Sequence, residues 1–494
     1  MLLLGIDIGT SSIKVAIVDA NSQKTLALAQ YPETESPITS LQLGWAEQSP
    51  EMWWEHIQQA IVLCHSSGKY NPGDIAAIGI AYQMHGLVLV DKDQKLLRDS
   101  IIWCDSRAVE IGDKAFDAIG HEKCLAHLLN SPGNFTASKL AWVKEHEPKI
   151  YDQIHKVMLP GDYIGMKLTG EITTSVSSLS EGVFFDFINN EISKDVVNYY
   201  GFNESMFPEI RPVFAEHGNL LPAMANKLGL SAGIPVSYKA GDQPNNALSL
   251  NVLNPGEVAA TAGTSGVIYG VSDQLTYDPQ SRVNTFAHVN YTEQQKSMGV
   301  LLCINGTGSL YRWTKNLFGS GETYVQMNDE AKQVPLGSDG LRILPFGNGA
   351  ERMLNNKLVG VHMQNIDLNL HSRSHIYRAV QEGIACAFRY GLDIMRENKM
   401  NPTVIRAGRA NLFLSDLFAQ SFVNMTGIPV ELYKNDGSVG AALGAGIGAK
   451  IYTSPQDAFK FMHAIQLIEP NGDDVEPIYQ EWKGLLERQL IATN

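Results

Sequence analysis

Three acidic side chains, one histidine and two Gly-Thr-Ser turns carry the chemistry legible in this chain. Asp7 lies near the end of the apolar run Leu2-Leu3-Leu4-Gly5-Ile6-Asp7-Ile8, just ahead of Gly9-Thr10-Ser11-Ser12. Consecutive amide N–H groups in such a turn, with the hydroxyls of Thr10, Ser11 and Ser12, form a concave donor array suited to phosphate oxygens. Gly9 lets the backbone bend and approach a ligand closely. A carboxylate beside phosphate is repelled unless a cation stands between them, so Asp7 implies Mg²⁺, held directly or through water. The same turn recurs as Gly263-Thr264-Ser265, 254 residues after the first in a chain of 494.

Three further positions admit two readings each. Gln83-Met84-His85-Gly86 interrupts two apolar stretches, and His85 beside a flexible glycine either enters a cleft or is satisfied within its own turn. Asp105 and Arg107 stand two residues apart, as an internal ion pair or part of a polyol site. Asp242 follows the strand-like run Ile234-Pro235-Val236-Ser237-Tyr238-Lys239-Ala240-Gly241. It is placed either to cap the next helix or, at the carboxyl end of a strand, to accept a proton from a substrate hydroxyl.

The elements that must position these residues read as alternating strands and helices. The segments 2–8 and 13–19 form a hairpin around the first turn, and 258–262 and 266–270 form another around the second. Buried strands are expected at 75–82 and 234–241, and helices at 50–64, 135–146, 310–317 and 375–398. Asp436-Gly437-Ser438-Val439-Gly440-Ala441-Ala442-Leu443-Gly444-Ala445-Gly446 reads as a small-residue helix able to lie close to a neighbour or a nucleotide. One phosphate-type hairpin per half predicts two similar α/β lobes, 1–245 and 246–494, with their turns facing a shared cleft. The length supports two cores. A formal net charge of −14 argues against nucleic-acid and anionic-membrane partners, and no apolar run is long enough to span a bilayer. Five scattered cysteines without a Cys-x-x-Cys, and a start that lacks a basic leader, predict a reduced cytoplasmic protein without structural zinc.

On Gly5-Ile6-Asp7-Ile8-Gly9-Thr10-Ser11, Ala262-Gly263-Thr264-Ser265-Gly266, the helix around Phe135 to Val143 and Gly241-Asp242, the chain resembles the FGGY carbohydrate kinases. Gln83-Met84-His85-Gly86, Trp103-Cys104-Asp105-Ser106-Arg107 and Leu159-Pro160-Gly161-Asp162-Tyr163 resemble the xylulokinase branch of that family. The resemblance implies two actin-like, ribonuclease H-like ATPase domains around a central cleft, with ATP and Mg²⁺ as cofactors and a small sugar as substrate. It implies phosphoryl transfer to the terminal 5-hydroxyl of D-xylulose, Asp242 as proton acceptor and Asp7 near the metal. Gln83, Met84, His85 and Asp105 are expected at the sugar. Gly9, Thr10, Ser11, Gly263, Thr264, Ser265, Gly408, Arg409 and Asn411 are expected at the nucleotide. A homodimer is the expected assembly. The chain departs from the family at Gln243-Pro244-Asn245-Asn246, at Ala407-Gly408-Arg409-Ala410 and at Ala350-Glu351-Arg352-Met353-Leu354. A kinase for L-ribulose, L-fuculose, gluconate or glycerol stays open as an alternative. So does a non-catalytic actin-like nucleotide-switch protein.

Overall fold

The computed structural model describes residues 1–319 and 321–492. One mixed β-sheet organises each half. The first contains β1 (Leu2–Ile8), β2 (Ile13–Asp19), β3 (Thr25–Tyr31), β4 (Ile75–Tyr82) and β5 (Val236–Gly241), in the order β5-β4-β1-β2-β3. The second contains β6 (Glu257–Ala262), β7 (Gly266–Ser272), β8 (Asn284–Ala287), β9 (Met298–Ile304), β10 (Val404–Gly408), β11 (Val430–Tyr433) and β12 (Gln466–Ile468), in the order β8-β9-β7-β6-β10-β11-β12. In the first sheet β1, β2 and β3 form an antiparallel meander, and β4 and β5 continue it in parallel from β1. The second sheet repeats this with β6, β7 and β9 antiparallel, and β10 and β11 parallel to β6. The two Gly-Thr-Ser turns are thus matching corners of two lobes with one strand order.

The apolar runs in β1 and β4 are continuous rather than alternating because both faces of the sheet are covered. Helix α1 (Pro50–Ser66) buries Trp53, Trp54 and Ile57 against the meander. Helices α2 (Thr136–His146) and α3 (Val176–Glu181) extend the first lobe toward the cleft. Helix α4 (Asp242–Ser249) follows β5 directly. Since α4 is unbroken, the chain passes between the sheets at 250–256, and the expected division at 245 would cut a helix. Helix α5 (Arg373–Glu397) runs through the second core on Val380, Ile384 and Phe388.

Helix α6 (Gly437–Gly448) belongs to the second half but covers the other face of the first sheet. Its small residues make that possible. A Cβ at Gly5 would stand 1.8 Å from the Ser438 carbonyl oxygen, and one at Gly79 only 2.0 Å from that of Ala441. Close packing, with α4 wedged alongside, is what the glycines of α6 serve. Among the described residues no helix is long and apolar enough to cross a membrane.

Candidate active site

Because β1, β4 and β5 are parallel neighbours, their carboxyl ends lie side by side. Asp7 pairs with Ala81 of β4, and Gly241 with Tyr82. Gly241 occupies the N-cap of α4 and has no side chain to cap with. Asp242 is therefore the first helical residue rather than the cap, and its half-buried carboxylate takes hydrogen bonds from Gln243. Burial and then repulsion from Asp7 raise the Asp242 carboxyl to about 7. Burial and then repulsion from Asp436 raise Asp7 to about 6, opposed by Lys14. Both side chains lie deep yet keep one side open. They titrate as an interacting pair at the closed end of the cleft. The amino end of α6 presses on that pair, since a Cβ at Gly437 would stand 2.3 Å from Asp7 Oδ2.

The loop after β4 lies beside Asp242. Met84 is buried against Gly241, where a Cβ would stand 2.6 Å from Met84 Cγ. His85 has a left-handed backbone, φ 63°. Its Nδ1 donates to the Glu181 carbonyl at 2.9 Å. Its ring meets Phe135 edge-on at 4.9 Å and lies 5.5 Å from Phe286 of the other lobe. Burial, then the charge of Lys139, pushes the imidazole down to about 3, so the ring is neutral at pH 7. With its one N–H committed to Glu181, Nε2 is an acceptor. Buried Lys139 holds the loop by donating to the His85 carbonyl at 2.9 Å and to that of Ile102 at 3.0 Å. Burial also keeps the Glu181 carboxyl well above the usual range, and its Oε1 accepts from Tyr82 OH at 2.6 Å.

Two residues expected at the sugar have their polar atoms engaged within the protein. Gln83 is buried. Its Oε1 accepts from the Thr10 hydroxyl at 3.1 Å, and its Nε2 donates to Gln48 at 3.0 Å. It braces the first Gly-Thr-Ser turn from below. Asp105 is fully buried, and both of its oxygens are engaged. Arg107 Nε donates at 3.0 Å to Oδ1, Arg107 Nη2 at 2.7 Å to Oδ2, and the Ala46 amide at 2.6 Å to Oδ2. Of its two sequence readings, the internal ion pair is the one formed. Its neighbour Trp103 instead stands at the cleft, half exposed, with its indole N–H donating to Thr10 Oγ1 at 2.9 Å.

The phosphate turns are held open in different ways. In the first, the Gly9 amide closes on the Ser12 carbonyl at 3.1 Å. In the second, the Gly263 carbonyl accepts from the Gly308 amide at 2.9 Å and the Thr307 hydroxyl at 3.0 Å, leaving Thr264 and Ser265 exposed. Asn411 lies against this turn, its Nδ2 3.4 Å from where a Gly263 Cβ would be. Gly408 touches Asn435, whose amide donates to Asn246 of α4 at 3.0 Å. Asn245, one residue earlier, donates to the Gly437 carbonyl at 2.9 Å, beside Asp7. A continuous chain of contacts thus runs from one turn to the other across α4 and the start of α6. Arg409 and Asn411 are exposed beside the second turn. Arg406 is scaffold, paired with Glu431 at 2.9 Å and Glu257 at 3.3 Å.

The acid pair fits a divalent cation bound mainly by phosphate and water. Two raised carboxylates with Asp436 nearby make a negative field that such an ion relieves. No cluster of three or more His, Cys, Asp or Glu able to hold a metal exists among the described residues. Sequence reasoning passed over Lys139, Glu181, Trp103 and Gly437. Lys139 and Glu181 had one visible signal, a charged residue inside a run of small or apolar helix positions.

Comparison with known proteins agrees with this geometry. The model of the N-terminal domain of the FGGY family of carbohydrate kinases matches residues 2–249, and that of its C-terminal domain matches 258–449. The xylulose kinase of Bacillus subtilis (strain 168) is 28% identical over 490 residues, covering 96% of this chain and 94% of that protein. The xylulose kinase of Escherichia coli (strain K12) is 29% identical over 459 residues, covering 92% and 91%. The crystal structure of xylulose kinase from Rhodospirillum rubrum superposes with a TM-score of 0.87 at 26% identity, covering 99% of both chains.

Proposed function

This chain belongs to the FGGY family of carbohydrate kinases, and from that premise we propose that it transfers the γ-phosphoryl group of ATP to the terminal 5-hydroxyl of D-xylulose. That it is a phosphotransferase with an alcohol acceptor follows from the family. The choice of sugar is supported by relatives named xylulose kinase over more than nine-tenths of the chain. One observation carries the mechanism: Asp242 and the Met84-His85 loop leave adjacent strands and touch through Gly241.

Phosphoryl transfer asks mainly for positioning and charge neutralisation. The turns at Thr10 and Thr264 hold the ATP phosphates from opposite lobes, with Gly408, Arg409 and Asn411 on the nucleoside side. Mg²⁺, held near Asp7 through water, would neutralise phosphate charge. Neutral His85 accepts from a sugar hydroxyl at Nε2, and Met84 packs against the carbon chain. Gln83 acts one layer back by fixing Thr10. Asp242, whose pKa near neutrality suits a general base, takes the proton of the 5-hydroxyl as that oxygen attacks phosphorus. The packed lobes exclude water, the competing nucleophile. A cytoplasmic setting belongs to this reading, supported by five cysteines that are all free.

The test is a coupled ADP-release assay on D-xylulose, L-ribulose and glycerol with ATP and Mg²⁺, with the product identified by ³¹P NMR. A 5-phosphate formed fastest from D-xylulose is expected. A faster reaction with another acceptor would move the substrate assignment, and ATP turnover without any phosphorylated acceptor would reject it.

A further inference from the structure

Glu351 and Arg352 are adjacent on the second lobe and serve opposite sides. The buried Glu351 carboxylate accepts the Asn305 amide at 3.0 Å on both oxygens. Asn305 opens the loop whose Thr307 and Gly308 hold the Gly263 carbonyl, so Glu351 is part of the mounting of the second phosphate turn. Arg352 faces across the cleft. Its guanidinium carbon lies 5.8 Å from the ring centroid of Phe135 in the first lobe, and the Phe135 ring stacks edge-on against His85. Its charge is felt at His85, at Asp113 and at Cys303 on β9. Its backbone carbonyl accepts from the Asn355 amide at 3.0 Å, but among the described residues its guanidinium forms no ion pair and donates no hydrogen bond. Arg352 is half-buried, so the five N–H donors of its planar fork stay open to an acceptor in the cleft. Burial lowers its pKa.

We propose that Arg352 is a sugar-binding residue supplied by the nucleotide lobe, donating to hydroxyls of the acceptor on the side away from His85. The sugar pocket is then completed only by both lobes together. The residue that completes it is bonded in sequence to the one that mounts the second phosphate turn. The inference rests on the sugar-kinase reading above.

The experiment compares wild type with Arg352→Met, which keeps an apolar stem over Phe135 but removes every donor, and with Arg352→Lys. The acceptor is whichever of D-xylulose, L-ribulose and glycerol the wild type phosphorylates. Loss of one to two hydrogen bonds should raise the acceptor KM of Arg352→Met about tenfold, with Arg352→Lys recovering part of the loss. The ATP KM measured at saturating acceptor, and the melting temperature, should stay at wild-type values. An acceptor KM unchanged in Arg352→Met, with an active wild type, overturns this inference and leaves the function standing. Acceptor and ATP KM rising together with a lowered melting temperature also overturns it, because Arg352 is then only interlobe packing. A wild type inert toward every acceptor overturns the functional reading and this one with it.

Discussion

In the first lobe the strand that enters the Gly-Thr-Ser turn carries Asp7 two residues before Gly9. In the second lobe the matching position, two residues before Gly263, is Thr261. The difference extends along both sheets. Gln83-Met84-His85 leaves β4, whereas Arg409-Ala410-Asn411 leaves the corresponding β10. Asp242 follows β5, whereas Lys434 follows β11. One frame thus presents an acid pair and an imidazole from one side, and cations, amides and hydroxyls from the other. The first set suits proton transfer beside a metal. The second suits an anionic nucleotide. The two lobes share a strand order, and the residues at and just past the matching strand ends differ between them.

The largest predicted effect is at the acid that has no counterpart in the second lobe. Asp242→Asn should lower kcat by about 10³-fold, the scale of a lost general base, with acceptor affinity by calorimetry nearly unchanged. Near-normal turnover would mean the asymmetry is not catalytic. A paired substitution sharpens the comparison of the turns. A Cβ at Gly9 would stand 2.9 Å from the Ser12 carbonyl, whereas one at Gly263 meets only ordinary contacts from 3.4 Å outward. Gly9→Ala should therefore slow turnover roughly 10-fold to 100-fold by misplacing phosphate, while Gly263→Ala stays close to wild type. Equal losses would show that both turns are equally tight.

The acid pair also sets a pH dependence. Asp7 and Asp242 have native pKa values of about 6 and 7, above the 3.8 of a free aspartate. The native state thus holds its protons more tightly than the unfolded chain. The stability this confers is present below about pH 4 and is lost as pH rises through 6 to 7. Ligand-free Asp242→Asn should melt at a higher temperature than wild type at pH 8, by a margin that narrows steadily as the pH falls toward 4. The acid limb of wild-type kcat/KM for the acceptor should fall near pH 7. The smallest effect is at Trp103→Phe. Losing the indole bond to Thr10 should change kcat/KM by a factor worth about 1 kcal/mol, with no change in pH profile.

Much of this was legible in the sequence. The two hairpins, the strand before Asp242 and the small-residue helix are local patterns, and each formed where its residues placed it. What Asp242 does depended on sheet order, because the ends of β1, β4 and β5 become neighbours only when segments near residues 7, 82 and 241 pair. The partners of Gln83 and Asp105 were hidden for a related reason. Their polar atoms are satisfied by Gln48 and Ala46, residues 35 and 59 positions away in the chain. Arg352 stood in a segment marked as a family departure, but which way its side chain points is a property of the folded cleft.

The division of labour between the lobes is tested most directly by calorimetry with D-xylulose and with ATP·Mg²⁺ on two variants, His85→Ala in the first lobe and Asn411→Ala in the second. His85→Ala is predicted to weaken the sugar about tenfold and leave ATP at its wild-type affinity, and Asn411→Ala to do the reverse. If His85→Ala weakens both ligands equally, or Asn411→Ala weakens the sugar more than ATP, the assignment of His85 to the sugar and Asn411 to the nucleotide is wrong.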